Sequence, residues 1–294
     1  MFPLLQYNLE EALACAELCQ LAYLSPATWG SKKSGEKLAR TLAACPTPIK
    51  TALGFYKDKK GGSPSPWGVS PLDECNPGGP CFFNGKDESF GTVIQHEPSG
   101  TSALLLEGKV DYYKKNERVV FLVFRGTDGG PEELIGVNAI AGMKMKQCPY
   151  GGITGKVHAG YADNFDTIRP RVVDAMNTLF PKDGDSKYDR LIITGHSLGG
   201  GLCVAGGTCV ACECPGVPLI TMHSIAGAPF GDANFKIAFQ DKKDKRMAKV
   251  TMFRTINDQD IIPQLGAAVR WGYCYDIAPK VVLTQKTLAW NPSQ

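Results

Sequence analysis

Ser197 stands between two glycines in the run Gly195-His196-Ser197-Leu198-Gly199. Leu191-Ile192-Ile193-Thr194 before it reads as a strand, and Gly200 to Cys212 after it as a glycine-rich apolar helix. A serine on the sharp turn between strand and helix exposes its hydroxyl beside free backbone N–H groups. That arrangement suits attack on a carbonyl carbon and stabilisation of the resulting oxyanion. The flanking positions lack side chains because the turn is crowded. The same five letters also occur in plain glycine-rich turns; the strand and helix on either side single out the nucleophile reading.

The elements that must position this turn alternate along the chain. Asn8 and Glu11 form a capping-box pattern at the start of a helix. Its spacing predicts Leu9, Ala12, Leu13, Ala16, Cys19 and Tyr23 on one face. Residues 25–90 show little periodicity, and 58–81, rich in glycine and proline, reads as a surface loop or insertion. Strands are predicted over 91–96, 101–107, 110–113 and 119–124. The last is apolar at every residue, as in a strand covered on both faces. A single long helix is predicted from Tyr161 to Phe180, with Phe165, Ile168, Val172, Met176 and Leu179 inward. Further strands fall near 219–224 and 250–255, and the alternation points to an α/β sheet.

A chain of 294 residues suits one large α/β domain or two small ones. With 43% hydrophobic and 21% charged residues it can fill a core, which excludes global disorder. A net charge of +3 is too small to argue for nucleic acid or an anionic membrane surface. Lys242-Lys243-Asp244-Lys245-Arg246 is mixed in sign and reads as a solvated helix face or loop. The most apolar window, 199–222, is broken by Glu213 and Pro215, so no transmembrane segment is expected. Residues 1–18 carry Glu10, Glu11 and Glu17 and no basic start, so no secretory signal is expected either. That favours a reduced, intracellular protein, although Cys75 and Cys81 flank a loop that a disulfide could close in an oxidising compartment. Cys15 and Cys19, four apart on a predicted helix, read as small buried groups. Cys209, Cys212 and Cys214 lack paired C-x-x-C spacing and a neighbouring histidine, and no metal or other cofactor is expected.

Four further motifs follow in order: Phe124-Arg125-Gly126-Thr127, Val157-His158-Ala159-Gly160-Tyr161, Gly227-Ala228-Pro229 with Gly231 and Phe235, and Asp260-Ile261-Ile262-Pro263. With the serine motif they resemble the fungal-type (class 3) lipases, an α/β-hydrolase family, over roughly residues 90–265. The resemblance implies one α/β-hydrolase domain over 1–294, with a central, mostly parallel sheet flanked by helices. It implies Ser197 as nucleophile, Asp260 as triad acid with Asp258 as runner-up, and the N–H groups of Thr127 and Leu198 as the oxyanion hole. Segment 128–156 lies where the family carries its lid, and Leu134, Ile135, Val137, Ile140, Met143 and Met145 give it an apolar side. A long connection with a buried face is the other reading of that segment. The activity implied is hydrolysis of acylglycerols or related lipid esters through an acyl-enzyme, with the substrate met at a lipid–water interface.

The family's triad runs serine, aspartate, histidine. The four histidines here, His96, His158, His196 and His223, all precede Asp260. Arg270-Trp271-Gly272-Tyr273 resembles a segment where a different family histidine is common. Removing the base from such a triad lowers turnover by about a millionfold. Two expectations follow. In one, the chain is a hydrolase whose base comes from an unrecognised place or from sequence beyond Gln294. In the other, it is a catalytically silent lipase-like protein that binds a partner or a lipid.

Overall fold

The computed structural model describes residues 5–23, 83–84, 90–96, 99–127, 144–184, 186–257, 260, 263, 278 and 280–283. Helix α1 (Leu9–Ala22) comes first. Strands β1 (Phe83–Asn84), β2 (Phe90–His96), β3 (Thr101–Val110) and β4 (Glu117–Phe124) follow. A two-stranded sheet of β5 (Met145–Gln147) and β6 (Lys156–His158) leads into helices α2 (Ala159–Asp166) and α3 (Arg169–Leu179). Then come β7 (Arg190–His196), α4 (Leu198–Glu213), β8 (Ile220–Ile225), α5 (Ala233–Gln240), α6 (Lys245–Ala248), β9 (Val250–Asn257) and β10 (Lys280–Leu283).

The main sheet has eight strands in the order β1-β2-β3-β4-β7-β8-β9-β10. Pairings from β1 through β4 are antiparallel, and those from β4 through β10 are parallel. Side chains alternate between faces along each strand. In β7, Leu191 and Ile193 join α2, α3 and α4 in the larger apolar core, while Ile192 joins α1 on the opposite face. Burial on both faces explains why β4 and β7 read as near-continuous apolar runs.

Three details depart from the sequence reading. The predicted strands 101–107 and 110–113 are one strand ending at Val110, and Tyr112 and Tyr113 lie in the turn beyond it. The predicted long helix is two: Pro170, which has no N–H, sits in the first turn of α3 after a break at Thr167 and Ile168. Phe165, Ile168, Val172 and Met176 nevertheless point inward as expected. The third departure is the facing of α1. Leu9 and Leu13 are 60% and 46% exposed, while the buried side is Glu11, Ala12, Ala14, Cys15, Leu18, Cys19 and Ala22, of which Ala12 and Cys19 are inward as expected. The rotation follows from Glu11, which ion-pairs with Arg190 (2.7 Å) and hydrogen-bonds to His223 (2.9 Å) beneath the helix. The expected cap is present, with the Glu11 N–H donating to Asn8 Oδ1 at 3.0 Å.

Cys15 and Cys19 are buried as expected. The Lys242–Arg246 stretch is a loop leading into α6, in which the Lys242 ammonium donates to the carbonyls of Met247 (2.9 Å) and Val250 (2.6 Å). Among the described residues, no helix is long and apolar enough to cross a membrane, and no group of histidine, cysteine or acidic side chains could hold a metal ion. The insertion at 58–81, the Cys75–Cys81 loop, Asp258 and Arg270–Tyr273 lie outside the described residues. So does the 128–143 part of the expected lid; its remainder, 144–156, carries the β5–β6 turn.

Candidate active site

Loops that follow the carboxyl ends of parallel strands meet along one edge of an open sheet, where crevices form. Here Arg125-Gly126-Thr127 leaves β4, Ser197 leaves β7, Ala226-Gly227 leaves β8 and Asp260 comes after β9. The register pairs Phe124 with Gly195, His196 with Ile225 and Ile225 with Thr255, so these exits stand side by side.

Ser197 has φ 56° and ψ −120°. A non-glycine residue held there stores about 1–3 kcal/mol of strain, so surrounding structure must enforce it. That structure is visible. The Ser197 N–H donates to Ile225 O (3.0 Å), and Ser197 O accepts from the Gly200 N–H (2.9 Å). A Cβ at Gly195 would lie 2.1 Å from Gly199 O, and one at Gly199 would lie 2.4 Å from Phe124 O. Side-chain-free positions on both sides are thus required for the α4 N-terminus to press against the end of β4. Leu198 is the first residue of α4, where backbone N–H groups have no partner within the helix. Thr127, half-buried, follows the β4 exit that Gly199 contacts.

The histidines are distributed otherwise than a triad requires. His96 Nδ1 shares a 2.9 Å hydrogen bond with Ser99 Oγ beside the β2–β3 turn. His158 is the N-cap of α2, its Nδ1 accepting from the Tyr161 N–H at 3.3 Å and its ring lying 4.2 Å from the Tyr161 ring. His223 is buried under α1, bound through Nε2 to Glu11. His196, beside the serine, shares a 2.8 Å hydrogen bond through Nδ1 with the Tyr23 hydroxyl. Burial depresses the His196 pKa, and the nearby Asp260 carboxylate offsets part of that fall. Asp260, half-buried, donates its N–H to Asn257 O (3.1 Å), and Pro263 beyond it is buried.

The carboxyl ends of the parallel strands therefore carry Ser197, Leu198, Thr127 and Asp260 on neighbouring exits, with His196 and Tyr23 among them. None of the described residues hydrogen-bonds to Ser197 Oγ. Sequence reasoning overlooked Tyr23, which spacing placed only on a helix face, and the Arg190 network. An arginine opening a strand buried at every residue before His196 was the available signal for the latter.

The sheet order, the parallel β4–β10 half and the strained serine between β7 and α4 define an α/β-hydrolase fold. A family model described as Lipase (class 3) matches residues 121–269, just over half of the chain. The chain belongs to that family. Among solved structures, lipase II from Rhizopus niveus is 18% identical, with 94% of this chain and 80% of that one covered and a TM-score of 0.55. M37 lipase is 17% identical, covering 88% of this chain and 70% of that one, at a TM-score of 0.52. The native Rhizomucor miehei lipase propeptide complex is 20% identical at a TM-score of 0.46; the match covers 60% of this chain and spans half the length of that one. No curated protein matches.

Proposed function

We propose that this protein is a serine ester hydrolase acting on acylglycerols or related lipid esters. Ser197 Oγ attacks the ester carbonyl carbon while a general base takes its proton, and the base returns that proton to the departing alcohol. Water deprotonated by the same base then releases the fatty acid from the acyl-enzyme, the base being an imidazole that none of the sequence motifs assigns. The N–H groups of Leu198 and Thr127 hold the oxyanion, and Asp260 is the triad carboxylate. One domain carries the site, and 128–156 acts as its lid. The observation that carries this reading is the backbone at Ser197, strained to φ 56° and enclosed by two glycines that admit no side chain. Strain of that kind is costly and clusters at functional sites. Of the described non-glycine residues with positive φ, Asn116, Ser197 and Ala226, only Ser197 carries a nucleophilic side chain exposed by a glycine-framed turn. Membership of the class 3 lipase family and the lipase names of the two relatives with full-fold similarity support the substrate class.

A second reading has its own observation. His96, His158 and His223 each hold a hydrogen bond with a partner other than Ser197, as a lipase-like protein without turnover would allow. Ester turnover by the purified chain separates the two. We expect release of fatty acid from short- and long-chain esters, and loss of at least a thousandfold in Ser197→Ala. A folded wild-type chain whose rate equals that of Ser197→Ala would establish the silent reading.

A further inference from the structure

Every second residue of β7 on one face meets α1. Glu11 binds Arg190, Cys19 Sγ lies 3.5 Å from Thr194 Oγ1, and Tyr23 reaches His196. The helix thus runs along β7 in the strand's own direction, and the residue just past its end lies under the serine turn. The Tyr23 hydroxyl occupies a specific place there. It is 2.8 Å from His196 Nδ1, with the two rings edge to face at 5.8 Å. It also fills the position of a Cβ on Gly126: such an atom would lie 2.0 Å from the hydroxyl and 2.7 Å from His196 O. One phenol therefore touches both turns to which the oxyanion donors are assigned, Gly126-Thr127 and His196-Ser197-Leu198.

We infer that Tyr23 is a positioning residue for acyl transfer at Ser197: its hydroxyl fixes the His196 ring and the spacing between the β4 and β7 exits. The inference rests on the hydrolase reading above. Catalysis by an oxyanion hole needs its donors preorganised to a fraction of an ångström, so a contact that sets the distance between two donor-bearing turns acts on the transition state rather than on substrate affinity. Among the described residues, His196 is faced by the Tyr23 hydroxyl from the end of α1 and the Asp260 carboxylate after β9, and its carbonyl by the backbone of Gly126 after β4. Burial lowers the pKa of this imidazole, and the Asp260 carboxylate offsets part of the fall.

Tyr23→Phe removes the hydroxyl and keeps the ring. In the full chain, we expect the rate of Ser197 phosphonylation by a fluorophosphonate to fall about tenfold. The kcat for a soluble ester should fall by the same factor, with KM unchanged. The ¹⁵N resonances of the His196 imidazole should move, while circular dichroism stays native. His196→Phe removes both ring nitrogens and breaks the same bond from the other side; it should give the same loss and little further loss when combined with Tyr23→Phe, which keeps the inference testable if one variant does not fold. If wild type and Tyr23→Phe react at the same rate, Tyr23 does not position the site and the inference is wrong, though the hydrolase reading stands. If the folded wild type does not react at all, the hydrolase reading itself fails and takes this role with it.

Discussion

On one face of the sheet, α2, α3 and α4 close over Phe124, Phe165, Val172, Met176, Ile193 and Val204, all buried and apolar. On the other, α1 closes over a smaller apolar patch and a buried charged network. Arg190, with no exposed surface, binds Glu117 through Nε and Nη2 (2.9 Å each), Glu11 through Nη2 (2.7 Å) and Thr221 through Nη1 (2.8 Å). The first face gains stability in proportion to area removed from water. The second depends on complete pairing, because a lone buried charge costs far more than a missing methylene. The contrast also divides the labour: the apolar face holds the body of α4, the helix after the serine turn, and the charged face holds the helix that leads to Tyr23.

The strongest way to break this contrast is Arg190→Met, which strands Glu11 and Glu117 in the interior. We expect a loss of about 3–5 kcal/mol in urea unfolding, and recovery of most of it when Glu11→Leu and Glu117→Leu are added. A loss below about 1 kcal/mol would show that the network is ornamental to stability. Acid sharpens the same point. Burial pushes the Glu11 carboxyl up, but the hydrogen bond with His223 and the adjacent Arg190 guanidinium outweigh it and leave the pKa below the usual carboxylate value. A depressed folded pKa contributes stability that is full above the unfolded value of about 4.3 and is lost as pH falls through the folded one. Stability measured against pH should therefore drop more steeply below about pH 4 in wild type than in Glu11→Gln; parallel curves would remove Glu11 from the account.

On the apolar face the scale is smaller. Ile193→Val deletes one buried methylene and should cost about 1 kcal/mol, with no change in the acid limb. The least effect belongs to the thiols. Burial holds Cys19 up at about 12, and Cys15 and Cys203 are fully buried beside it. Cys212, half-buried and pushed to about 11, should react with iodoacetamide at pH 8 before any of these three. Mass spectrometry that found Cys19 modified first in native protein would mean that α1 opens readily from the sheet.

The same contrast marks what the sequence made legible. Strands β4, β7, β8 and β9 and helix α4 follow from long apolar runs and turn chemistry, and the serine turn was readable because its glycines answer a steric demand that can be stated in advance. The facing of α1 was not readable. Apolar spacing put Leu9 and Leu13 inward, whereas partners far along the chain, Arg190 and His223, draw Glu11 in and turn those leucines to solvent. The break at Thr167 was legible in Pro170 but lost in a strong apolar period. In the site, motif order located Ser197, Thr127, Leu198 and Asp260 on strand exits, because short motifs carry local geometry. The Tyr23–His196 contact spans 173 residues of sequence, and no local pattern encodes it.

The central claim is that the hydroxyl of Ser197 is a nucleophile. Its most direct test is to treat the native chain with a fluorophosphonate, digest it and map the adduct by tandem mass spectrometry. The account predicts a single phosphonyl group on the peptide bearing Ser197, absent when the protein is first unfolded in urea. An unmodified Ser197 in demonstrably folded protein, or an adduct on another serine, would contradict it.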